Sequence, residues 1–293
     1  MIINDHLQRA TAAGIRAFAA ITTKLTEEAR RRHDCYPVAT AALGRCMTGA
    51  ILMAANLKND EALTIRIDGN GPLGTIIADA RPDGTVRGYV KNASVDLPLQ
   101  NGKLAVGQAV GEGEIYVTRF TGLKEPFTGS TALVSGEIAE DLTHYLYTSE
   151  QTPSTISLGV LINPDLTVAA AGGLFIQALP GSNDDDLAVI EANLAVMPPL
   201  SQFIAEGQTA EAVLRFVFAG LPVTVHDPQP LEFRCTCSKE RVLNALISLG
   251  YDEVAAIAQD GQAELICHFC NEKYYIAEDE LNGLAASLQN ADI

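Results

Sequence analysis

The sequence predicts an α+β protein: an N-terminal antiparallel-sheet domain with packed helices, then a helical linker, then a small C-terminal zinc-binding module. The apolar period is helical up to about residue 57, changes to two between residues 62 and 120, and is helical again after residue 180. Asn-Gly, Asp-Gly and Gly-Pro pairs punctuate the middle stretch, as the tight turns of an antiparallel sheet require. Four cysteines are gathered near the C-terminus as two close pairs, Cys235 with Cys237 and Cys267 with Cys270.

Two helices are expected to open the chain. Ile15, Phe18, Ile21 and Leu25, then Ala41, Leu43, Met47 and Ile51, recur at helical spacing, with a break at His33-Asp34-Cys35-Tyr36-Pro37. The run from Val38 to Leu57 is the most apolar, but Arg45 sits near its middle among Ala, Gly and Thr, so a buried helix explains it better than a membrane span. The runs LTIRID, GTIIADA, TVRGYV and EIYVTRF alternate as strands. A helix is expected over GEIAEDLTHYLYTS, residues 136–149, and then two strands, ISLGVLIN and VAAAGGLFIQAL, joined by a turn at Pro164-Asp165. This α+β domain spans residues 1–179.

At Pro180 the composition shifts to PGSNDDD, in which Asp184 to Asp186 suit the positive end of a helix. A helical linker is expected over residues 180–231, with helices near 185–195, 200–206 and 209–219. The last contains Phe216, Val217 and Phe218, a run too apolar to leave in water, which something must cover. Residues 232–293 form the four-cysteine module: a helix, a break at Gly250, a shorter helix, and a hairpin turn at Asp260-Gly261.

Composition narrows the function classes. Lys and Arg number 20 against 36 Asp and Glu, a formal charge of -16, so the overall field repels phosphate backbones and anionic lipid surfaces. The N-terminus MIINDHLQRA lacks a basic region followed by an apolar one, and a cytoplasmic protein is expected. The string Gly69-Asn70-Gly71-Pro72-Leu73-Gly74 satisfies G-x-G-x-x-G, but the alternating TIIADA after it reads as a strand, so a hairpin is expected in place of a dinucleotide site. Cys35, beside Arg30, Arg31, Arg32 and His33, is a secondary candidate for a reactive thiol, and Cys46 a weaker one.

The chemistry points to Cys235, Cys237, Cys267 and Cys270. In an extended backbone residues two apart share a face, so Cys-Thr-Cys can present both sulfurs to one ion. In the Cys-His-Phe-Cys knuckle the chain bends so that backbone N–H groups point at the thiolates. Four thiolates complete the tetrahedral shell of zinc and leave no position for a reacting water, so no catalytic residue is assigned. His268, inside the knuckle, is expected to face solvent and, with Arg234, Lys239, Arg241 and Lys273, to offset part of the net negative charge of a zinc-bound set of four thiolates. Few large apolar residues remain in the module, so its fold depends on the metal. Zinc-bound thiolates are also nucleophilic toward peroxide, and their oxidation destroys the ligand set. Spacing alone leaves both a structural staple and a redox switch open, with the staple the commoner.

Motifs spread over nearly the whole chain resemble the redox-regulated holdase chaperones of the bacterial heat-shock protein 33 family. They are GPLG at Gly71, VRGYV at Val86, SGEIAEDLTHYLYTSEQTPS from Ser135 to Ser154, Gly172-Gly173, LPG at Leu179, and CTCS with CHFC. The resemblance implies an ATP-independent chaperone, not an enzyme, that is inactive while reduced and zinc-bound. It further implies that oxidation pairs Cys235 with Cys237 and Cys267 with Cys270, releases zinc and unfolds the module and the linker. Unfolding client proteins are then held, by a dimer when active, and later pass to ATP-dependent foldases. Phe216, Val217 and Phe218 are the candidate client-binding surface. Two alternatives stand beside this one. A zinc-ribbon interaction module is disfavoured by Glu240, Asp252, Glu253, Asp260 and Glu264, and a thiol oxidoreductase by the hairpin-like setting of Cys267.

Overall fold

The computed structural model describes residues 4–58, 60–122 and 125–291; residues 1–3, the start of the N-terminal stretch read for a leader, lie outside them. The chain divides into two compact units, Met1–Arg234 and Cys235–Ile293.

The first unit opens with a hairpin, β1 (His6–Ala12) and β2 (Ile15–Ile21), where the periodicity predicted a helix. The cause is burial on both faces: six of the seven residues of β2 are buried, so the strand carries no alternation, and the 15, 18, 21 spacing fits either element. Its turn uses Ala13 at φ 49° and Gly14 at φ 76°, the left-handed pair of a tight hairpin, without the Asn-Gly that would have announced it. Helices α1 (Thr23–His33) and α2 (Pro37–Ala54) follow. Asp5 starts α1 by accepting the N–H groups of Lys24 and Leu25, at 3.0 and 2.7 Å.

The next elements are β3 (Ala62–Gly69), β4 (Thr75–Ala80), β5 (Thr85–Val90), α3 (Val106–Val110), β6 (Gly113–Phe120), β7 (Phe127–Ala132), α4 (Ala139–Thr148), β8 (Ser154–Ile162) and β9 (Val168–Ala178). The four alternating runs and the pair after α4 are strands, as expected. Helix α3 is a single turn, and β7, FTGSTA, is a largely exposed strand of small and polar residues with no apolar alternation to mark it. The G-x-G-x-x-G string is the β3–β4 connection, and its glycines serve packing. A Cβ on Gly69 or Gly71 would collide with the carbonyl oxygens of Val110 and Ala109.

Three helices then pack on the first sheet: α5 (Asp184–Val196), α6 (Leu200–Ala205) and α7 (Ala210–Val217). Asn183 caps α5, its side-chain oxygen accepting the Asp186 N–H at 2.8 Å, with three aspartates in the first turn. The short strands β10 (Thr224–Val225), β11 (Gln229–Pro230) and β12 (Glu232–Phe233) close the unit. One sheet has the order β10-β1-β2-β9-β8 with β11 also on β1; the other runs β12-β5-β4-β3-β6-β7. Helix α2 lies between them, sharing one core with Phe18 and Phe175 of the first sheet and Ile65, Ile67, Ile76, Ile115 and Val117 of the second. That position explains a helix apolar all round without a membrane.

The second unit contains α8 (Lys239–Ile247), α9 (Tyr251–Gln259), β13 (Gln262–Ile266), β14 (Lys273–Ala277) and α10 (Glu278–Ala291). The hairpin expected here forms, but Asp260-Gly261 links α9 to β13, and the turn of the hairpin is the knuckle itself. Its core is small: Leu246, Val254, Ala258, Ile276, Leu281 and Ala285.

Candidate metal centre

Around Cys235 and Cys237 exposure alternates from Phe233 to Ser238, so both cysteines share the inward face of an extended segment. Ser238 ends that segment by capping α8, its hydroxyl accepting the Arg241 N–H at 3.3 Å. The second pair is set by the β13–β14 ladder. The Cys267 N–H donates to Glu272 O at 2.9 Å and the Asn271 N–H to Cys267 O at 2.8 Å, with Asn271 at φ 59° turning the chain.

These two segments bring all four sulfurs within 4.8 Å of one another. Cys235 Sγ lies 3.7 Å from Cys267 Sγ, and Cys237 Sγ 3.3 Å from Cys270 Sγ. A tetrahedral ion with metal–sulfur bonds of about 2.3 Å spaces its sulfurs about 3.8 Å apart, so the cluster has the size and donor set of a four-thiolate metal site. Burial pushes the thiols of Cys267 and Cys270 above their ordinary range, although the Phe269 and Cys270 backbone N–H groups pull Cys267 back and that of Glu272 pulls Cys270 back. Four sulfurs packed this closely lose their protons together only if a cation shares the site.

Arg234 pairs with Glu232 at 2.7 Å, Lys239 with Glu280 at 2.7 Å, Lys273 with Glu264 at 2.9 Å, and Arg241 donates to the Thr236 hydroxyl at 2.8 Å. These four side chains have acidic or hydroxyl partners. His268 is exposed, as expected. Tyr274, which the sequence reading passed over, donates its phenol to Cys237 Sγ at 3.1 Å. That bond holds the phenol above its ordinary pKa. Its position on the strand after the knuckle was the available signal.

The other candidates lie elsewhere. Val217 and Phe218 are fully buried with Ala10, Ala17, Ile21 and Leu174 of the first sheet, and Phe216 is half-buried, edge-on to Phe203 with ring centroids 5.6 Å apart. Cys35 is not an activated thiol. It is 3% exposed, burial pushes its pKa up to about 12, and Arg30 is held in a two-point ion pair by Glu27. Cys46 is buried and its thiol is pushed up for the same reason.

The family model described as Hsp33 protein matches residues 5–277. The 33 kDa chaperonin of Desulforamulus reducens is 49% identical over 294 residues, covering 99% of this chain and all of that protein. That of Bacillus subtilis is 46% identical over 285 residues, covering 96% of this chain and 98% of that protein. The crystal structure of the 33 kDa chaperonin (heat shock protein 33 homolog) from Thermotoga maritima superposes with a TM-score of 0.91 at 35% identity, covering 98% of this chain and 99% of the other. With a matching fold and a four-cysteine cluster at the expected place, the chain belongs to the Hsp33 family of chaperones.

Proposed function

We propose that this chaperone is a redox-regulated, ATP-independent holdase whose resting state is reduced and zinc-bound. The observation that carries the reading is the gathering of four sulfurs within 4.8 Å of one another on a unit whose core, among the described residues, is six buried apolar side chains, two of them alanine. Bound zinc supplies the positive charge that keeps the four sulfurs ionised together and ties residues 235–237 to the knuckle. The chain's part is to offer Cys235 and Cys237 from an extended segment and Cys267 and Cys270 from a hairpin. Each pair then loses its anchor when its sulfurs are oxidised.

In the oxidised state Cys235 pairs with Cys237 and Cys267 with Cys270, a pairing that rests on the family resemblance. Peptide mapping after thiol blocking tests it against the cross pairs, whose sulfurs are also close. With the ligand set gone the C-terminal module unfolds, and residues 180–231 act as a strap that loosens with it. Clients are held on apolar surface that includes Phe216, Val217 and Phe218; oxidised protein carrying Phe216→Ser and Phe218→Ser that still held clients would remove these residues from the surface. The active form is a dimer in the cytoplasm, and clients pass on to ATP-dependent foldases.

The test compares reduced and peroxide-treated protein for suppression of aggregation of a heat-unfolded client, with released zinc measured in the same samples. Suppression by the treated form alone, in step with zinc release, is expected. Equal suppression by both forms refutes the switch.

A further inference from the structure

Tyr274 is aimed at the cluster by its place in the β13–β14 ladder. It sits in β14, paired across the ladder with Leu265, and shares a strand face with Ile276, which is fully buried; Tyr275, on the opposite face, is 60% exposed. The Tyr274 ring is thereby held so that its hydroxyl meets Cys237 Sγ at 3.1 Å. We infer that Tyr274 is a positioning residue that restrains Cys237 against oxidation and so helps set how much oxidant the chaperone must meet before it switches. The inference rests on the redox reading above.

The chemistry follows from the sulfur lone pairs. The same electron density that makes a thiolate a metal ligand makes it a nucleophile, and an O–H donor draws on it by a charge-assisted hydrogen bond. In the reaction with hydrogen peroxide, a thiolate sulfur gives an electron pair to one peroxide oxygen. The S–O bond forms, the O–O bond breaks, and hydroxide leaves. The resulting sulfenic acid is attacked by a second thiolate, which forms the S–S bond and expels a second hydroxide, so two thiolates and one peroxide yield one disulfide and two hydroxides. A donor already engaged by Cys237 must be given up, in part, before the first of these steps proceeds there.

The test uses the full-length, zinc-loaded, reduced protein and its Tyr274→Phe variant, which keeps the ring and removes the hydroxyl. Peroxide-driven zinc release is expected to be roughly three- to tenfold faster in Tyr274→Phe, the scale of one hydrogen bond to a charged group partly lost in the transition state. Dimedone trapping with peptide mapping is expected to show a larger share of the first sulfenic acid on Cys237. A general loosening of the module would raise trapping at all four cysteines alike and so overturns the inference. Tyr275→Phe, on the other face, is expected to behave as wild type. Site-specific monofluorotyrosine at 274, a stronger donor that preserves packing, is expected to slow release, which keeps the test decisive if Tyr274→Phe folds poorly. Wild-type rates and trapping in Tyr274→Phe overturn this inference alone; a wild-type protein that keeps its zinc under peroxide overturns the redox reading with it.

Discussion

Phe218→Ala tests whether α7 is clamped to the first sheet by its buried face. Phe218 is 1% exposed, and Ala210, Val213, Leu214 and Val217 of the same helix are buried beside it. Truncating a fully buried phenylalanine costs about 3–5 kcal/mol in transfer and cavity terms. Two ties survive the change: Asn193 of α5 donates its amide to the carbonyls of Val217 and Ala219, each at 2.9 Å. The cost therefore falls on the seating of α7 against the sheet. Native-state hydrogen exchange read by mass spectrometry on peptides covering residues 210–219 is the assay. If opening of α7 is local, its amides should exchange roughly 150- to 5000-fold faster than in the wild type. Phe216→Ala removes a half-buried ring whose edge-on contact with Phe203 adds about 0.5–1.5 kcal/mol beyond area, so its effect should be about tenfold. The reasoning is refuted if Phe216→Ala accelerates exchange more than Phe218→Ala, or if Phe218→Ala leaves α7 protected.

Three further outcomes follow from the same structure. A zinc chelator should open Cys235–Ile293 to trypsin at Arg241 and Lys273 while residues 1–179 survive, because a small core replaces little of the roughly 10 kcal/mol or more that a structural zinc provides; continued protection of the module would contradict this. Cys35 should resist iodoacetamide at pH 8 until the protein unfolds. Its thiol is raised from an ordinary 9.0 to about 12, so the unfolded chain releases this proton first, and folded-state stability should decline as pH rises from 9 toward 12; Cys35→Ala should flatten that decline in urea titrations. Asp141→Ala should lower stability by roughly 2–4 kcal/mol in denaturant titration, because its buried carboxylate accepts the N–H groups of Val134, Ser135, Gly136 and Ile138 at 2.7, 3.0, 3.2 and 2.8 Å; a change below about 0.5 kcal/mol would show that water replaces it.

Much of the fold was legible because its signals are local. The alternation of LTIRID, GTIIADA, TVRGYV and EIYVTRF records a sheet with one face on α2, and Asn183 with its three aspartates records the start of α5. The first hairpin was illegible for the opposite reason. Its second strand is covered on one side by the α2 core and on the other by α5 to α7, so no polar face is left to mark the period. Strand β7 was missed because its apolar residues, Phe127 and Ala132, stand at its two ends and the Thr, Gly and Ser between them show no apolar alternation. The hairpin turn in the second unit was misplaced by a Gly-containing pair, where the real turn is the Cys267–Cys270 knuckle.

By itself the sequence determined the four sulfur donors, their spacing, and the helices and strands whose apolar residues repeat, because donor type and periodicity are properties of neighbours along the chain; α3, β7, the short strands β10 to β12 and the last helix α10 were not read from it. Only the tertiary structure decided which thiols are buried and what each one meets. Cys35 sits among arginines in sequence, yet it is 3% exposed, and burial outweighs the pull of Arg30 on its thiol. Cys237 meets a phenol 37 residues away only because β14 carries Tyr274 back to it. Reactivity is set by solvent, charge and hydrogen bonds at a point in space, and those arise from contacts that a one-dimensional pattern does not encode.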